Sequence, residues 1–258
     1  FQNTFPLISP SAYAVAQKHN IPVIQSLRNY RLMCPTATFF RDGKVCEDCL
    51  GKTIPYPGVL HACYRDSRVQ SAAVAGMLGF HNIRKTWSRN VDQFIALTQF
   101  VKDKFIEAGM SGNKITVKPN FVGHDPGVGS EPGDYMIFMG RLTPEKGVRT
   151  LLSAWQHHPE IPLKLLGDGP LLDELKATAK THNLAVEFLG HQNYQEVMGL
   201  VQQSRALIFP TEWYETFGRV SIEAYACGKP VIASNIGAVA EIVDHGKTGF
   251  QFTPGNAD

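Results

Sequence analysis

Two acidic residues, Glu215 and Glu223, stand eight positions apart in the stretch Pro210-Thr-Glu-Trp-Tyr-Glu-Thr-Phe-Gly-Arg-Val-Ser-Ile-Glu-Ala224. A strand is expected before this stretch and a helix after Gly218. That places Glu215 in the connecting loop and Glu223 in the second turn of the helix. Thr216, Phe217 and Gly218 then sit at the helix start, where amides without an intrahelical acceptor make an anion site. Carboxylates accept hydrogen bonds from hydroxyls, so Glu223 suits a ribose diol and Glu215 the hydroxyls of a sugar. The plainer reading is two acids favoured at a helix start by its dipole. It accounts for one of them, but not for both at this spacing beside the cations of a second loop.

That loop is Gly140-Arg-Leu-Thr-Pro-Glu-Lys-Gly147. Arg141 offers a planar fork to phosphate oxygens and Lys146 a compact positive charge. As mere surface charges they would sit at a helix start, where a cation is mildly disfavoured. An anion such as a departing pyrophosphate explains them better. A third loop, Gly167-Asp168-Gly169-Pro170, lets backbone approach a ligand closely, at Gly169 above all. The same four residues also make an ordinary turn.

Cysteines form a separate group. Asp42-Gly-Lys-Val-Cys46-Glu-Asp-Cys49 reads as a knuckle, a tight turn presenting two thiolates, and Cys34 and Cys63 could complete a structural zinc site of four thiolates. Two disulfides, or four separate thiols, are the other readings. Cys227 follows Glu223 on the expected helix and reads as core packing. Arg65, Arg68, Arg84, Lys85 and Arg89 flank an apolar helix containing Ala72 to Phe80. The simpler reading is a packed core helix with basic ends; the other is docking on anionic lipid.

Alternating strands and helices must position these groups. In the second half strands are expected near 135–139, 162–166, 186–189, 206–209 and 230–233. Helices are expected near 145–157, 170–181, 193–203 and 219–227. Repeated β-α-β units imply a parallel sheet covered on both faces, with ligands at the carboxyl ends of its strands. The first half gives a helix from Ser9-Pro10 to His19, a strand over 21–27, an irregular cysteine-bearing insertion over 28–66 and a helix over 67–87. A strand over 91–97, a helix from the Thr98 cap to Gly109 and a strand over 115–117 follow. A stretch rich in Gly and Pro over 123–133 reads as a linker between domains 1–122 and 134–258. The chain has 258 residues, 43% hydrophobic and 19% charged, with a net charge of +2. Those values fit a globular protein and give no argument for nucleic acid. No apolar run is long enough to span a membrane. The chain starts at Phe1 and stops just after Asn256, which looks like an N-cap, so it reads as an internal fragment of a longer protein.

The segments GRLTPEKG, LLGDGP, EFLGH, FPTEWYETFGRVSIEAYACGKPVIAS, GAVAEIV and GKTGF, in this order, resemble glycosyltransferase family 4. The resemblance covers nearly all of 134–258, and its Glu-x7-Glu signature falls on Glu215 and Glu223. It implies an α/β GT-B fold of two Rossmann-like domains with parallel sheets, the first incomplete here. The acceptor side would lie in 1–122 and the donor side in 134–258. It implies a retaining transfer from a nucleotide diphosphate sugar, with UDP or GDP favoured, to a glycan or lipid-linked acceptor. In such enzymes the residues matching Arg141 and Lys146 bind the diphosphate, that matching Glu223 the ribose and that matching Glu215 the sugar. Arg141, Lys146 and Glu215 would carry catalysis; Gly169, Thr216, Phe217 and Gly218 would complete the donor pocket. His191 lies near the expected base pocket. No Asp-x-Asp motif is present, so no catalytic metal is expected. The resemblance further implies polysaccharide or glycolipid synthesis on the cytoplasmic side, at the inner face of a membrane where the acceptor is lipid-linked. Many relatives carry a His in the loop matching Phe1–Pro10, and the matching residue here is Gln2, which cannot shuttle a proton. A non-catalytic nucleotide-sugar-binding scaffold and a nucleotide-sugar 2-epimerase are the alternatives; the Glu-x7-Glu and EKG motifs disfavour the epimerase.

Overall fold

In a computed structural model, which describes residues 1–2, 8–129 and 133–258, the chain falls into two units, Phe1–Pro119 and Asn120–Asp258. Residues 3–7 of the expected loop at Phe1–Pro10, and the part of the expected linker over 130–132, lie outside the described residues.

The first unit runs α1 (Ser11–Lys18), β1 (Ile24–Leu27), β2 (Phe40–Arg41), β3 (Lys44–Val45), α2 (Pro57–Leu60), α3 (Arg68–Ile83), α4 (Thr86–Asn90), β4 (Gln93–Ala96), α5 (Gln99–Glu107) and β5 (Ile115–Val117). Its parallel sheet has the order β1-β4-β5. Thr98 starts α5 as expected, its hydroxyl accepting from the Val101 amide at 3.3 Å. The helix expected over 67–87 breaks in two, because Lys85 takes a left-handed conformation at φ 55°. Only one face of α3 packs inward, through Ser71, Val74, Ala75, Leu78 and Gly79. The other face carries Val69, Ala72, Ala73, Gly76, Phe80 and Ile83 and is exposed. The helix thus packs one apolar face into the core, and leaves a second apolar face uncovered.

The second unit alternates without interruption: β6 (Met136–Met139), α6 (Val148–Trp155), β7 (Leu163–Leu166), α7 (Leu172–Thr181), β8 (Val186–Gly190), α8 (Tyr194–Gln202), β9 (Ala206–Phe209), α9 (Arg219–Ala226), β10 (Val231–Ser234), α10 (Gly237–Ile242) and β11 (Gly249–Phe252). Its strands pair in parallel in the order β11-β10-β9-β6-β7-β8. This is a doubly wound Rossmann-like sheet. The first strand of the unit lies centrally, and the winding reverses between β6 and β9. Successive strand residues point to opposite faces. Ile137, Met139, Leu207 and Phe209 enter the core on one face of the sheet, and Phe138, Leu165 and Ile208 the core on the other. A strand covered on both faces needs a continuous apolar run, which is why Ala206–Phe209 is buried throughout.

Candidate functional site

β6 and β9 are neighbours, with Met136 opposite Ala206 and Ile137 opposite Leu207. Their carboxyl ends therefore deliver the loops 140–147 and 210–218 side by side at the reversal point, where open α/β sheets bind ligands. Backbone contacts stitch the loops together. The Glu212 amide donates to the Glu145 carbonyl at 2.9 Å, and the Thr211 hydroxyl to the same oxygen at 3.3 Å. Gly147 has φ 67°, and a Cβ there would lie 1.7 Å from the Pro210 carbonyl oxygen, so only glycine fits. The loop after β7 joins them: a Cβ on Gly169 would meet the Leu142 carbonyl oxygen at 2.5 Å. The Leu142 amide also donates to the Asp168 carbonyl at 2.9 Å.

This framework brings Lys146 and Glu215 together. The Lys146 ammonium donates to Glu215 Oε1, and the indole N–H of Trp213 donates to the same oxygen at 2.9 Å. Lys146 Nζ also lies 5.4 Å from the centre of the Trp213 ring. The two charged side chains are 16% and 11% exposed, largely shielded from bulk water. The sequence reading missed Trp213; its position two residues before Glu215 was the available signal.

The other expected residues hold partners of their own. Arg141 is largely exposed and pairs with Glu145 at 3.3 Å. Glu223 is nearly buried and pairs with Arg219 one helical turn earlier at 2.8 Å. Gly218 caps α9 at φ 82°, where a Cβ would come within 2.7 Å of the Phe209 ring. Phe217 is buried beside it, and Thr216 is half-buried. His191 is exposed just beyond β8. Three buried hydroxyl oxygens at this end of the sheet have no hydrogen-bond partner: Thr143 in the first loop, Ser221 in the first turn of α9 and Ser234 at the end of β10. Buried hydroxyls are normally paired, so unspent donors collect where a polyanion would be bound.

In the first unit, Cys34, Cys46, Cys49 and Cys63 all line one small cavity. All five cysteines of the chain are free thiols, and Cys227 is fully buried in the second unit's core. Burial pushes the Cys49 thiol up to about 12 and raises Cys46 and Cys63; Cys34 adds to the rise at Cys49 and Cys63. Among the described residues no group of three or more Cys, His, Asp or Glu side chains is drawn to metal-binding distance. The tetrahedral centre read from the spacing is therefore not closed. Uncharged thiols exert no pull on one another, and two of them have other partners: Cys34 Sγ lies 3.1 Å from Thr36 Oγ1, and Cys49 Sγ lies 3.8 Å from the Pro55 carbonyl. A cavity of about 380 Å³ in the same unit is lined by Lys52, Lys85, Trp87 and Lys114. Several of its lining residues precede β4 and β5, at the amino ends of those strands. Lys114 is already spent there on the Ser88 and Val91 carbonyls.

A family profile described as "Glycosyl transferases group 1" matches residues 127–258. The chain belongs to this family. Over 218 residues it is 31% identical to a glycogen synthase of Mycobacterium tuberculosis, a match covering 78% of this chain and 51% of the relative. It is 29% identical over 201 residues to an uncharacterised glycosyltransferase of Methanocaldococcus jannaschii, covering 77% and 54% respectively. The chain thus spans about half the length of these curated relatives. Among solved structures, Anabaena HepE in complex with UDP superposes with a TM-score of 0.70 at 21% identity, over 96% of this chain and 63% of that one. A sucrose-phosphate synthase of Thermosynechococcus elongatus does so with 0.66 at 20%, over 95% and 58%. This likeness shows the fold, an α/β chain of the GT-B class with parallel Rossmann-like sheets.

Proposed function

We propose that the chain is part of a retaining glycosyltransferase of family 4, and that its second unit binds the nucleotide diphosphate sugar. The observation that carries this reading is the Lys146–Glu215 pair at the reversal point of the sheet. Lys146 meets the diphosphate as charge builds on the leaving oxygen. Arg141 swings from Glu145 to the same anion, and the first amides of α9 add a fixed positive field. Glu215, held by Trp213, accepts hydrogen bonds from the sugar, and Glu223 from the ribose. Gly169 lets the third loop lie close to the donor, and Thr216, Phe217 and Gly218 present the start of α9. No protein nucleophile is invoked; the departing phosphate takes the acceptor's proton. UDP is the favoured nucleotide, since HepE is described with UDP and with UDP-glucose. Titration calorimetry of the chain with UDP, GDP and ADP tests the donor half of the reading. Micromolar binding of one of them supports it, and no heat from any of them rejects it.

The acceptor half is a lipid-linked glycan met at a membrane. Its support is the uncovered face of α3, where Val69, Phe80 and Ile83 are 81%, 53% and 65% exposed, with Leu60 at 61% nearby in sequence. Arg65, Arg68, Arg84, Lys85 and Arg89 flank it in sequence and are exposed, and Arg84 lies 4.9 Å over the Phe80 ring. Each buried large apolar side chain contributes about 1.5–3 kcal/mol, and each cation near an anionic surface about 1 kcal/mol. No helix among the described residues is long and apolar enough to cross a membrane, so the contact would be peripheral. Co-sedimentation with phosphatidylserine vesicles, lost in the Phe80→Ser, Ile83→Ser variant, is the expected result. Unchanged sedimentation, or self-association that the same variant abolishes, rejects it.

A further inference from the structure

We propose that Cys34, Cys46, Cys49 and Cys63 close on a single zinc ion that clamps the insertion over 28–66. The inference is independent of the donor site and stands or falls without it.

Three separate segments bring the four thiols to one place. β2 and β3 form a two-residue hairpin through Asp42 and Gly43, at φ 53° and 73°, the conformation a tight hairpin turn requires. The hairpin delivers Cys46 and Cys49 from a single short turn. Cys34 ends another turn, its amide donating to the Tyr30 carbonyl at 2.8 Å. Cys63 follows α2, its amide donating to the Gly58 carbonyl at 2.9 Å. A Cβ on Gly58 would come within 2.6 Å of Pro35, so α2 lies directly against the Cys34 segment.

The cavity that all four line measures about 10 Å³, room for one water-sized guest. A water there needs two to four polar partners, and thiols are weak ones. Four sulfurs around one atom-sized space are the donor set of structural zinc. The Arg41 side chain lines the same cavity, and its charge offsets part of the negative charge of a four-thiolate centre.

The segment needs such a clamp. Regular structure in it is limited to β2, β3 and α2. Ala37, Phe39, Asp42, Ala62, Arg65 and Asp66 all hold positive φ without being glycine, a conformation that persists only when the surroundings enforce it. Tyr30 and Phe39 anchor one side, their rings 4.9 Å apart and fully buried. On binding, each thiol gives its proton to solvent and forms a sulfur–zinc bond, with no change of oxidation state.

The test is the metal content of the full chain, purified with zinc present and freed of loose metal by gel filtration. One zinc per chain is expected in the wild type and in Cys227→Ala, whose thiol lies in the other unit. Cys46→Ser and Cys63→Ser should each lose it. Because losing a ligand can unfold those variants, cobalt is also added to the metal-free wild type, where the visible bands of a tetrahedral cobalt thiolate are expected. Wild-type protein without zinc, cobalt spectra without those bands, or a mass showing two disulfides overturns the proposal.

Discussion

Lys146 and Glu215, 69 positions apart in sequence, form an ion pair across the point where the six-stranded sheet reverses its winding. Neither residue lies in a strand or an α-helix. Each is placed by a loop pinned to the other loop through Gly147 and the Glu145 carbonyl, so the pair belongs to the sheet rather than to either loop alone. With both side chains mostly shielded, removing one leaves the other in a setting that disfavours its charge.

Lys146→Ala should therefore do two things. Transfer should fall by roughly a hundredfold or more, about 3 kcal/mol of transition-state stabilisation, as for the loss of one preorganised donor. Folding stability should fall by about 1–3 kcal/mol, because Glu215 keeps the Trp213 bond but loses its cation. Steady-state turnover by the full-length enzyme and urea melts read the two effects separately. Turnover near that of the wild type would remove Lys146 from the mechanism.

Gly147→Ala tests the framework. Gly147 and Gly246 both hold positive φ, at 67° and 78°, but a Cβ would meet the Pro210 carbonyl at Gly147 and nothing within 4 Å at Gly246. Gly246→Ala should cost only the backbone strain, on the order of 1 kcal/mol. Gly147→Ala should cost distinctly more, and it should abolish nucleotide binding because the two loops must part. Equal melting midpoints for the two variants would show that the loops tolerate separation.

Much of the second unit was legible because its strands are buried on both faces. Continuous apolar runs such as Ala206–Phe209 have few other readings, and Gly-rich or Pro-rich loops mark their ends. β11 and α10 escaped notice because Gly249–Phe252 and Gly237–Ile242 are short, and no cap announces either of them. In the first unit α3 is apolar on both faces, and periodicity cannot say which face is covered. The break at Lys85 carries no Gly or Pro signal. At the site, charges and spacing pointed to Lys146, Glu215 and Glu223, but pairing depends on which strands are neighbours. The Arg219–Glu223 pair was visible as an i, i+4 spacing; for Trp213 the only signal was its position two residues before Glu215.

Stability should respond to His81 on acidification. Burial, and then the Arg84 charge, hold this imidazole below its ordinary value near 6.5. Its Nδ1 lies 3.0 Å from Thr86 Oγ1, and its ring packs at 5.3 Å from Trp87. A group whose folded value is lowered binds its proton more readily when unfolded, so stability is fully present above about 6.5 and declines as pH falls below it. Urea midpoints at several pH values should show a decline below that point, shallower in His81→Gln. A steeper decline in the variant would reverse the assignment.

Glu223 and Arg219 give the sharpest test of how the donor is held. In the present arrangement the Glu223 carboxylate is occupied by Arg219 at 2.8 Å, and Arg219 is mostly exposed. If Glu223 receives a ribose diol, Arg219 competes with the ligand instead of assisting it. Glu223→Ala should then weaken nucleotide binding about tenfold to a hundredfold, the range of a hydrogen bond to a charged group. Arg219→Ala should leave binding unchanged or tighten it. The chemistry can be isolated further with the 2′-deoxy nucleotide: wild-type protein and Arg219→Ala should bind it more weakly than the ribonucleotide, while Glu223→Ala should bind the two alike. Calorimetry with both ligands on all three proteins reads the full set. A ribose preference that survives in Glu223→Ala would place the diol elsewhere and leave Glu223 as a helix acid held by its arginine.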